Sequence, residues 1–333
     1  MSTNTRYVRI AGWGKALPRE SVTNAALEGR VDTTDEWIRA RTGIQERRIA
    51  GPGETTSTLA TEAATAAMQR AGITAEDLDL VMVATCTPDY ASMPSTASLV
   101  QDALHARRAG AFDLNAVCSG FVYALATASQ FVLSGAYRNV LVIGAETFTR
   151  ILDWQDRSTC VLFGDGAGAV VLQSTEQPGG LLSFVLGSDG SGACSLYVPA
   201  GGSREPTTAE TVAERKHYVK MQGREVFRFA TRIVPESVSQ TLDRAGLVPG
   251  DIDLLIPHQA NVRIIDAAVK RLGIDESKVF TNVQRYGNTS AASIPLALCE
   301  ALDDGLIVPG DLIVMAGFGA GLSWATAAWR WQG

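Results

Sequence analysis

Residues 70-RAGITAEDLDLVMVAT-85 are echoed by 244-RAGLVPGDIDLLIPHQ-259. Each stretch reads as the end of a helix, a glycine cap, a short loop with Asp-x-Asp, and an apolar strand. Arg70 and Arg244 stand 174 residues apart, and the same offset carries Cys118 onto Ala292, inside 286-YGNTSAASIPLALCEAL-302. That segment and 113-DLNAVCSGFVYALATASQ-130 both open a helix of small and apolar residues after a turn. Two later pairs keep the order: 139-NVLVIGAET-147 with 311-DLIVMAGFG-319, and 168-GAVVLQS-174 with 324-WATAAWRW-331. Four pairs in one order argue for a duplicated unit over chance likeness between generic β/α segments. The expected halves are residues 1–175, which carry Cys118, and residues 176–333. Strand and helix alternate within the unit, which predicts an α/β fold with a mostly parallel sheet. The helices starting near Cys118 and Ala292 are apolar all round, so both must be buried, sandwiched between two sheets with amphipathic helices outside.

Composition agrees with a compact chain. Its 333 residues, 46% hydrophobic and 19% charged, are enough for a large core and argue against disorder. The start, MSTNTRYVRIAG, lacks the apolar region of a signal peptide, and no long charge-free apolar run spans a membrane. Five scattered cysteines without a C-x-x-C pair fit a reduced, cytoplasmic protein. A net charge of -6 argues against bulk nucleic-acid binding but allows a local basic patch for an acidic partner.

Cys118 follows the run 111-AFDLNAV-117, read as a strand, and opens a helix through Ser119–Gly120. A thiolate is favoured at a helix N-terminus. The dipole contributes roughly 0.3–1 kcal/mol, up to ~2 when partly buried, and one pKa unit is about 1.4 kcal/mol, so the dipole alone lowers a thiol by about one unit. Strong activation needs a further partner, and without one Cys118 reads as a buried core thiol. Of the three histidines, His105 and His217 sit in polar surroundings, whereas His258 ends the apolar strand 252-IDLLIP-257. The repeat matches His258 to Ala84, beside the first buried helix, and puts Asn288 at the entrance of the second. The pseudo-twofold then brings Cys118, His258 and Asn288 together at strand ends, where α/β sites form. The turn 317-GFGAG-321 offers backbone N–H groups for an oxyanion hole. Local structure offers another account of each: a core histidine held by backbone, an asparagine helix cap, a tight turn.

Seven stretches carry a resemblance that runs nearly end to end: DEWIRARTGIQERRI, MPSTASLVQ, CSGFVYAL, FGDGAGA, PHQANVRI, YGNTSAAS and GFGAGLSW. The chain resembles the β-ketoacyl-acyl-carrier-protein synthase III family of the thiolase superfamily. The resemblance implies the five-layered αβαβα thiolase fold and a homodimer. It also implies decarboxylating Claisen condensation of acyl-CoA, such as acetyl-CoA, with malonyl-acyl carrier protein. The product is a 3-oxoacyl-carrier protein, at the start of fatty acid biosynthesis. Cys118 would hold the acyl group as a thioester in ping-pong fashion. His258 and Asn288 would donate to the thioester oxygen as decarboxylation makes an enolate. The N–H groups of Cys118 and Ala320 would hold the oxyanion. The family usually has glycine at the second position, so a positive φ at Ala320 would be strained. No cofactor or metal is implied; acyl-CoA and malonyl-carrier protein are substrates.

Neighbouring families fit less well. Thiolases use a second cysteine near the C-terminal Gly-rich turn, and GFGAG has none. Hydroxymethylglutaryl-CoA synthases use a glutamate where 84-ATCTPDYASM-93 has none. Chain-elongating condensing enzymes use a second histidine where Asn288 stands. Plant-type polyketide synthases share Cys–His–Asn but have longer chains. A specialised homologue in secondary-metabolite biosynthesis is the enzymatic alternative. A non-catalytic carrier-protein-binding subunit is the other, and it should lack the nucleophile.

By the same resemblance, Trp37 and Arg41 stack on the CoA adenine, and Arg157 and Arg263 are further CoA contacts. TTDEWIRARTG reads as a helix with Thr33 and Glu36 at capping-box spacing, and Trp37 and Arg41 share a face. FGDGAGA (163–169) precedes an apolar strand instead of a helix, so it reads as a hairpin turn and not a phosphate loop. The acidic carrier protein would meet Arg224, Arg228 and Arg232, one ridge of a helix, together with Lys270 and Arg271. Met93 stands where the family residue closes the partner's acyl pocket across the dimer. It is more flexible than the usual Phe and would admit longer or branched starters.

Overall fold

The computed structural model describes residues 6–333; the first five residues of the stretch read for a leader lie outside it. The first sheet has five strands in the spatial order Tyr7–Ala16, Gly166–Thr175, Asn139–Glu146, Leu80–Ala84, Gly110–Leu114. The second has four, in the order Gly180–Ser188, Ser323–Arg330, Leu312–Gly319, Leu254–Pro257. A parallel bridge between Leu255 and Val279 stands where a fifth strand would lie. Strand by strand, the two sheets follow one order, as the repeat predicts.

The pairing is less parallel than expected. Leu80–Ala84 runs parallel to both neighbours, but Gly166–Thr175 is antiparallel to both of its own. In the second sheet only the Leu254–Pro257 ladder is parallel. For one antiparallel pair the cause is connection length. Strands Leu312–Gly319 and Ser323–Arg330 are joined by residues 320–322, far too short for a parallel crossover.

Both buried helices lie between the sheets. Gly120–Leu133 and Ser293–Asp303 share one core cluster, where Phe121, Leu125, Ile294 and Leu298 meet Met82 and Val142 of one sheet and Ile256 and Met315 of the other. Close approach explains two strand glycines. A Cβ on Gly144 would lie 2.3 Å from the Ala291 carbonyl oxygen, and one on Gly168 would lie 2.7 Å from the Pro295 carbonyl carbon. Pro295 is tolerated because it falls in the first turn of its helix.

Helix Thr56–Ala71 covers the outer face of the first sheet; Gly223–Ala245 and Val262–Leu272 cover that of the second. The result is five layers, αβαβα. Helices Thr56–Ala71 and Gly223–Ala245 end alike, at Gly72 and Gly246, each with φ 68°, the left-handed cap read from the two Arg-Ala-Gly segments. No described helix is long and apolar enough to cross a membrane. All five cysteines are free thiols.

Candidate active site

The strand before the nucleophile is shorter than its apolar run suggests. It ends at Leu114, and the chain enters a 3-10 turn, Val117–Ser119, before the helix begins at Gly120. The second half repeats this with the turn Ser290–Ala292 before Ser293. Each turn opens on a left-handed residue, Val117 at φ 49° and Ser290 at φ 48°. For the β-branched Val117 this backbone costs on the order of 1–3 kcal/mol. Surrounding contacts hold it. Val117 N–H donates to Asn115 Oδ1 at 3.2 Å, and Ser119 Oγ donates to the Ala116 carbonyl at 2.7 Å. Strand Leu312–Gly319 backs onto the turn so closely that a Cβ on Gly319 would lie 2.8 Å from Cys118 N. Gly317 and Gly319 therefore belong to a buried strand, not to a turn after it. The left-handed backbone feared at Ala320 falls on Gly321, φ 132°, where glycine carries no strain.

Cys118 is buried. Its thiol donates to Ser290 Oγ at 3.5 Å. Burial pushes the thiol up to about 12; the Ser290 contact offsets part of the rise and the Glu146 carboxyl adds to it. The resting residue is thus a thiol, because desolvation at this depth outweighs the modest help of the helix end.

His258 follows strand Leu254–Pro257 and is equally buried. Its Nδ1 lies 2.7 Å from Ser293 Oγ, which also accepts the Gln259 N–H at 2.8 Å. Where the Ser293 hydroxyl donates to Nδ1, the imidazole carries its own proton on Nε2. Burial pushes His258 down to about 3, so the ring is neutral. Asn288 Oδ1 accepts the Ser290 N–H at 2.8 Å, which leaves the Nδ2 group to donate. Cys118, His258, Asn288, Phe318 and Gly319 line one cavity of about 150 Å³.

A groove of about 570 Å³ walled by Trp37, Arg41, Arg224, Arg228 and Arg263 adjoins that cavity, and both are lined by Leu162, Gly223, Phe227 and Asn261. Two guanidinium groups lie over the Trp37 ring, Arg41 at 4.7 Å and Arg157 at 5.3 Å from its centroid. Arg157 also pairs with Asp32 at 3.0 Å. The helix Asp35–Thr42 is capped one residue later than the sequence pattern suggests. Thr34, not Thr33, accepts the Trp37 N–H, because Asp35 inside the helix is drawn to Arg39 and Asn24. Arg232 and Arg271 both pair with Glu236, at 3.2 and 3.4 Å, away from the groove; Lys270 is exposed. Behind Cys118, Cys86, Val117, Phe148, Leu196, Val219 and Ala320 line a second cavity of about 200 Å³. Met93 is 78% exposed on the single chain.

FGDGAGA is not a hairpin turn. Residues 147–165 include two short helices, so the connection is long, and Phe163 forms a bridge with Asn288. The Gly164 N–H donates to the Asn288 carbonyl at 3.0 Å, and Gly166 begins the next strand. The segment clasps the loop that carries Asn288. Three polar residues of the site went unread in the sequence: Glu146, Ser290 and Ser293. Glu146 alone carried a signal, a carboxylate closing the otherwise uncharged strand 139-NVLVIGAE-146.

A cysteine raised on a strained turn, with donors from the second half of the molecule facing it between two like sheets, defines the thiolase-fold condensing enzymes. The comparisons narrow this further. The family profile described as 3-oxoacyl-[acyl-carrier-protein (ACP)] synthase III matches residues 112–190, and its C-terminal counterpart matches residues 242–331. The β-ketoacyl-[acyl-carrier-protein] synthase III of Symbiobacterium thermophilum is 57% identical over 326 residues, 98% of each chain. The crystal structure of 3-oxoacyl-[acyl-carrier-protein] synthase III from Aquifex aeolicus superposes with a TM-score of 0.91 at 47% identity, covering 97% of this chain and all of that one. The priming β-ketosynthase of the R1128 polyketide pathway superposes at 0.90 with 39% identity, covering 98% and 97%. The chain belongs to the β-ketoacyl-[acyl-carrier-protein] synthase III family, an acyltransferase of fatty acid initiation.

Proposed function

We propose that Cys118, His258 and Asn288 carry the reaction, with Cys118 as acyl acceptor and the other two as donors to the malonyl thioester. Cys118 attacks the acyl-CoA carbonyl and keeps the acyl group. Malonyl-carrier protein then enters by the same groove. Loss of CO2 leaves an enolate, and His258 Nε2–H and Asn288 Nδ2–H stabilise its oxygen. The carbanion attacks the acyl-cysteine, and its oxyanion rests on the N–H groups of Cys118 and Ala320. A neutral histidine suits this role, since decarboxylation generates the carbanion and no proton need be removed. The observation that carries the reading is the single cavity of about 150 Å³ lined by all three residues and adjoining the arginine-walled groove.

In this reading Trp37, Arg41, Arg157 and Arg263 bind CoA. Arg224, Arg228, Lys270 and Arg271 meet the carrier protein. Met93, exposed on the single chain, closes the acyl cavity of a second copy in a homodimer. Residues 1–175 supply the nucleophile and residues 176–333 the two donors. The protein works in the cytoplasm without metal or cofactor. A second reading has it priming a secondary-metabolite pathway, which the likeness to the R1128 priming enzyme favours.

One assay tests both readings. Intact-mass detection across a panel of acyl-CoAs should find an adduct on Cys118, and added malonyl-carrier protein should discharge it with CO2. No adduct with any acyl-CoA, or no CO2, sinks the reading. A clear preference for a long or aromatic starter selects the second.

A further inference from the structure

Glu146 is the one buried carboxyl beside the nucleophile that the reaction above does not use. It closes strand Asn139–Glu146 at 0% exposure. Six groups donate into it. Oε1 receives the Ser290 hydroxyl at 3.0 Å, the Cys86 thiol at 3.2 Å and the Ala291 N–H at 3.4 Å. Oε2 receives the Thr85 hydroxyl at 3.2 Å and the Thr87 hydroxyl, and the Cys86 N–H reaches both oxygens. None of the ion pairs among the described residues includes it. Donors alone, with no cation, describe a site shaped for a carboxylate that can still accept a proton. The titratable groups facing it are Cys86, from the segment after Leu80–Ala84, and Cys118, from the nucleophile turn.

Ser290 joins this carboxyl to the reaction. Its hydroxyl receives the Cys118 thiol at 3.5 Å and donates to Glu146 Oε1 at 3.0 Å. No other side chain among the described residues hydrogen-bonds the Cys118 sulfur. His258 is turned to Ser293. We propose that Ser290 and Glu146 form the proton relay of Cys118, with Ser290 touching the reacting sulfur and Glu146 acting through it as a positioning and proton-holding residue. The proposal rests on reading Cys118 as the acyl acceptor.

The steps balance. As the Cys118 sulfur bonds to the thioester carbonyl carbon, its proton moves to the Ser290 oxygen and the Ser290 proton moves to Glu146 Oε1. The bond from that carbon to the CoA sulfur breaks, and CoA leaves as a thiolate that takes a proton from water. In the second half, attack by the malonyl-derived carbanion releases the Cys118 sulfur, which recovers a proton from Ser290 as Glu146 returns its own. Burial raises the Glu146 carboxyl above the ordinary glutamate range, which makes it a better acceptor than an exposed one.

The sign of one effect separates a relay from a bystander. A nearby negative charge that only repels the thiolate raises the thiol, so neutralising it as Glu146→Gln should speed reaction at Cys118. A relay predicts the opposite. The experiment measures two rates on the full-length enzyme across pH. One is alkylation of Cys118 by iodoacetamide, read by site-resolved mass spectrometry to separate it from Cys86. The other is single-turnover acyl transfer from acyl-CoA. Ser290→Ala and Glu146→Gln should each slow both by about 10²-fold near neutral pH, the lower end for a general base, and displace the alkylation profile to higher pH. The double variant should lose no more than either single one, because both act on one chain. Glu146→Asp should recover part of the rate. Wild-type or faster alkylation in Ser290→Ala or Glu146→Gln overturns the relay, as does full additivity in the double variant. Ser290→Ala removes a single hydroxyl and decides the matter if Glu146→Gln does not fold. Alkylation involves no acyl-CoA, so failure of the acyl-acceptor reading would register separately.

Discussion

The Nδ1 atom of His258 lies 2.7 Å from the hydroxyl of Ser293, the first residue of the second buried helix. This contact joins a strand end to a helix start. The same hydroxyl accepts the Gln259 N–H. In the proposed reaction a Ser293 hydroxyl that donates to Nδ1 keeps the ring proton on Nε2, toward the malonyl thioester. Outright loss of an oxyanion donor costs on the order of 10²-fold or more, so a donor merely loosened should cost about tenfold. Ser293→Ala should lower condensation by about that factor while single-turnover acyl loading is unchanged. Equal losses in both steps would place Ser293 in packing alone.

Asn288 gives the stronger split. Its Oδ1 is held by the Ser290 N–H, and its amide group faces the cavity shared with Cys118. In the proposed reaction Asn288→Ala removes one enolate donor and leaves the thiol in place. Loading should persist, and decarboxylation of malonyl-carrier protein should fall by about 10²–10³-fold. A variant that loads and condenses normally would remove Asn288 from the chemistry.

Burial of neutral His258 has a consequence for stability. The ring is held at about 3 in the folded chain, against about 6.5 when unfolded. Below pH 6.5 the unfolded chain takes a proton that the folded chain refuses, so this residue's contribution falls as pH drops from 6.5 toward 3. The slope is about 1.4 kcal/mol per pH unit. Denaturant titrations of the wild type and His258→Gln should show the difference between them shrinking over this window by that slope. A difference that is flat in pH would mean the ring is charged or exposed in the folded chain.

What was legible in the sequence follows from locality. The duplicated order of strands could be read because each unit carries its own glycine cap, Gly72 or Gly246, and its own apolar strand. Cys118, His258 and Asn288 could be read because each sits where one element gives way to the next, and the repeat overlays those junctions. The polar layer beneath them could not. Glu146 is surrounded by Thr85, Cys86 and Thr87 from one loop and by Ser290 from the other half, 144 residues away. An acidic residue closing an apolar strand ordinarily meets water, and only the docking of the two halves removes it. The 3-10 turn before Gly120 escaped for a similar reason, since nothing local in Asn-Ala-Val marks Val117 for a left-handed backbone. Gly317 and Gly319 misled in the other direction. Their composition suggested a turn, but they are strand residues kept small by the turn of Cys118 and Ser119 behind them.

That close approach makes Gly319 a position of known cost. A methyl group there would lie 2.8 Å from Cys118 N and 3.0 Å from Cys118 Cβ, inside contact distance. The neighbouring atoms are backbone of a strained turn with little room to move. Gly319→Ala should destabilise the protein by about 1–3 kcal/mol and also displace the nucleophile, lowering acyl loading well beyond what the stability loss explains. Gly53→Ala is the control: it sits at φ 85° on an outer loop with nothing within 4 Å, so it strains the backbone without touching the site. Comparable stability loss with unequal loading is the expected pair of results; equal loading would separate Gly319 from catalysis.

The basic groove permits a test of who uses it. Arg224 and Arg228 share a wall with Trp37 and Arg41, whereas Lys270 lies outside that wall. The charge pattern of the sequence set Arg228 aside for the carrier protein, but in the proposed reaction CoA and the carrier's phosphopantetheine arm share this one groove, so Arg228 meets both. Arg228→Glu should therefore raise KM for both acyl-CoA and malonyl-carrier protein, while Lys270→Glu should raise only the second. Trp37→Ala should raise KM for acyl-CoA by about tenfold, about 1.4 kcal/mol, within the range for stacking against a desolvated cation and ring, and leave kcat unchanged. For the acidic carrier protein both reversals should fall further behind the wild type at low salt, where lost attraction and new like-charge repulsion act over longer range. If Arg228→Glu affects only the carrier protein, the groove has a separate carrier entrance and the shared-wall geometry does not govern binding.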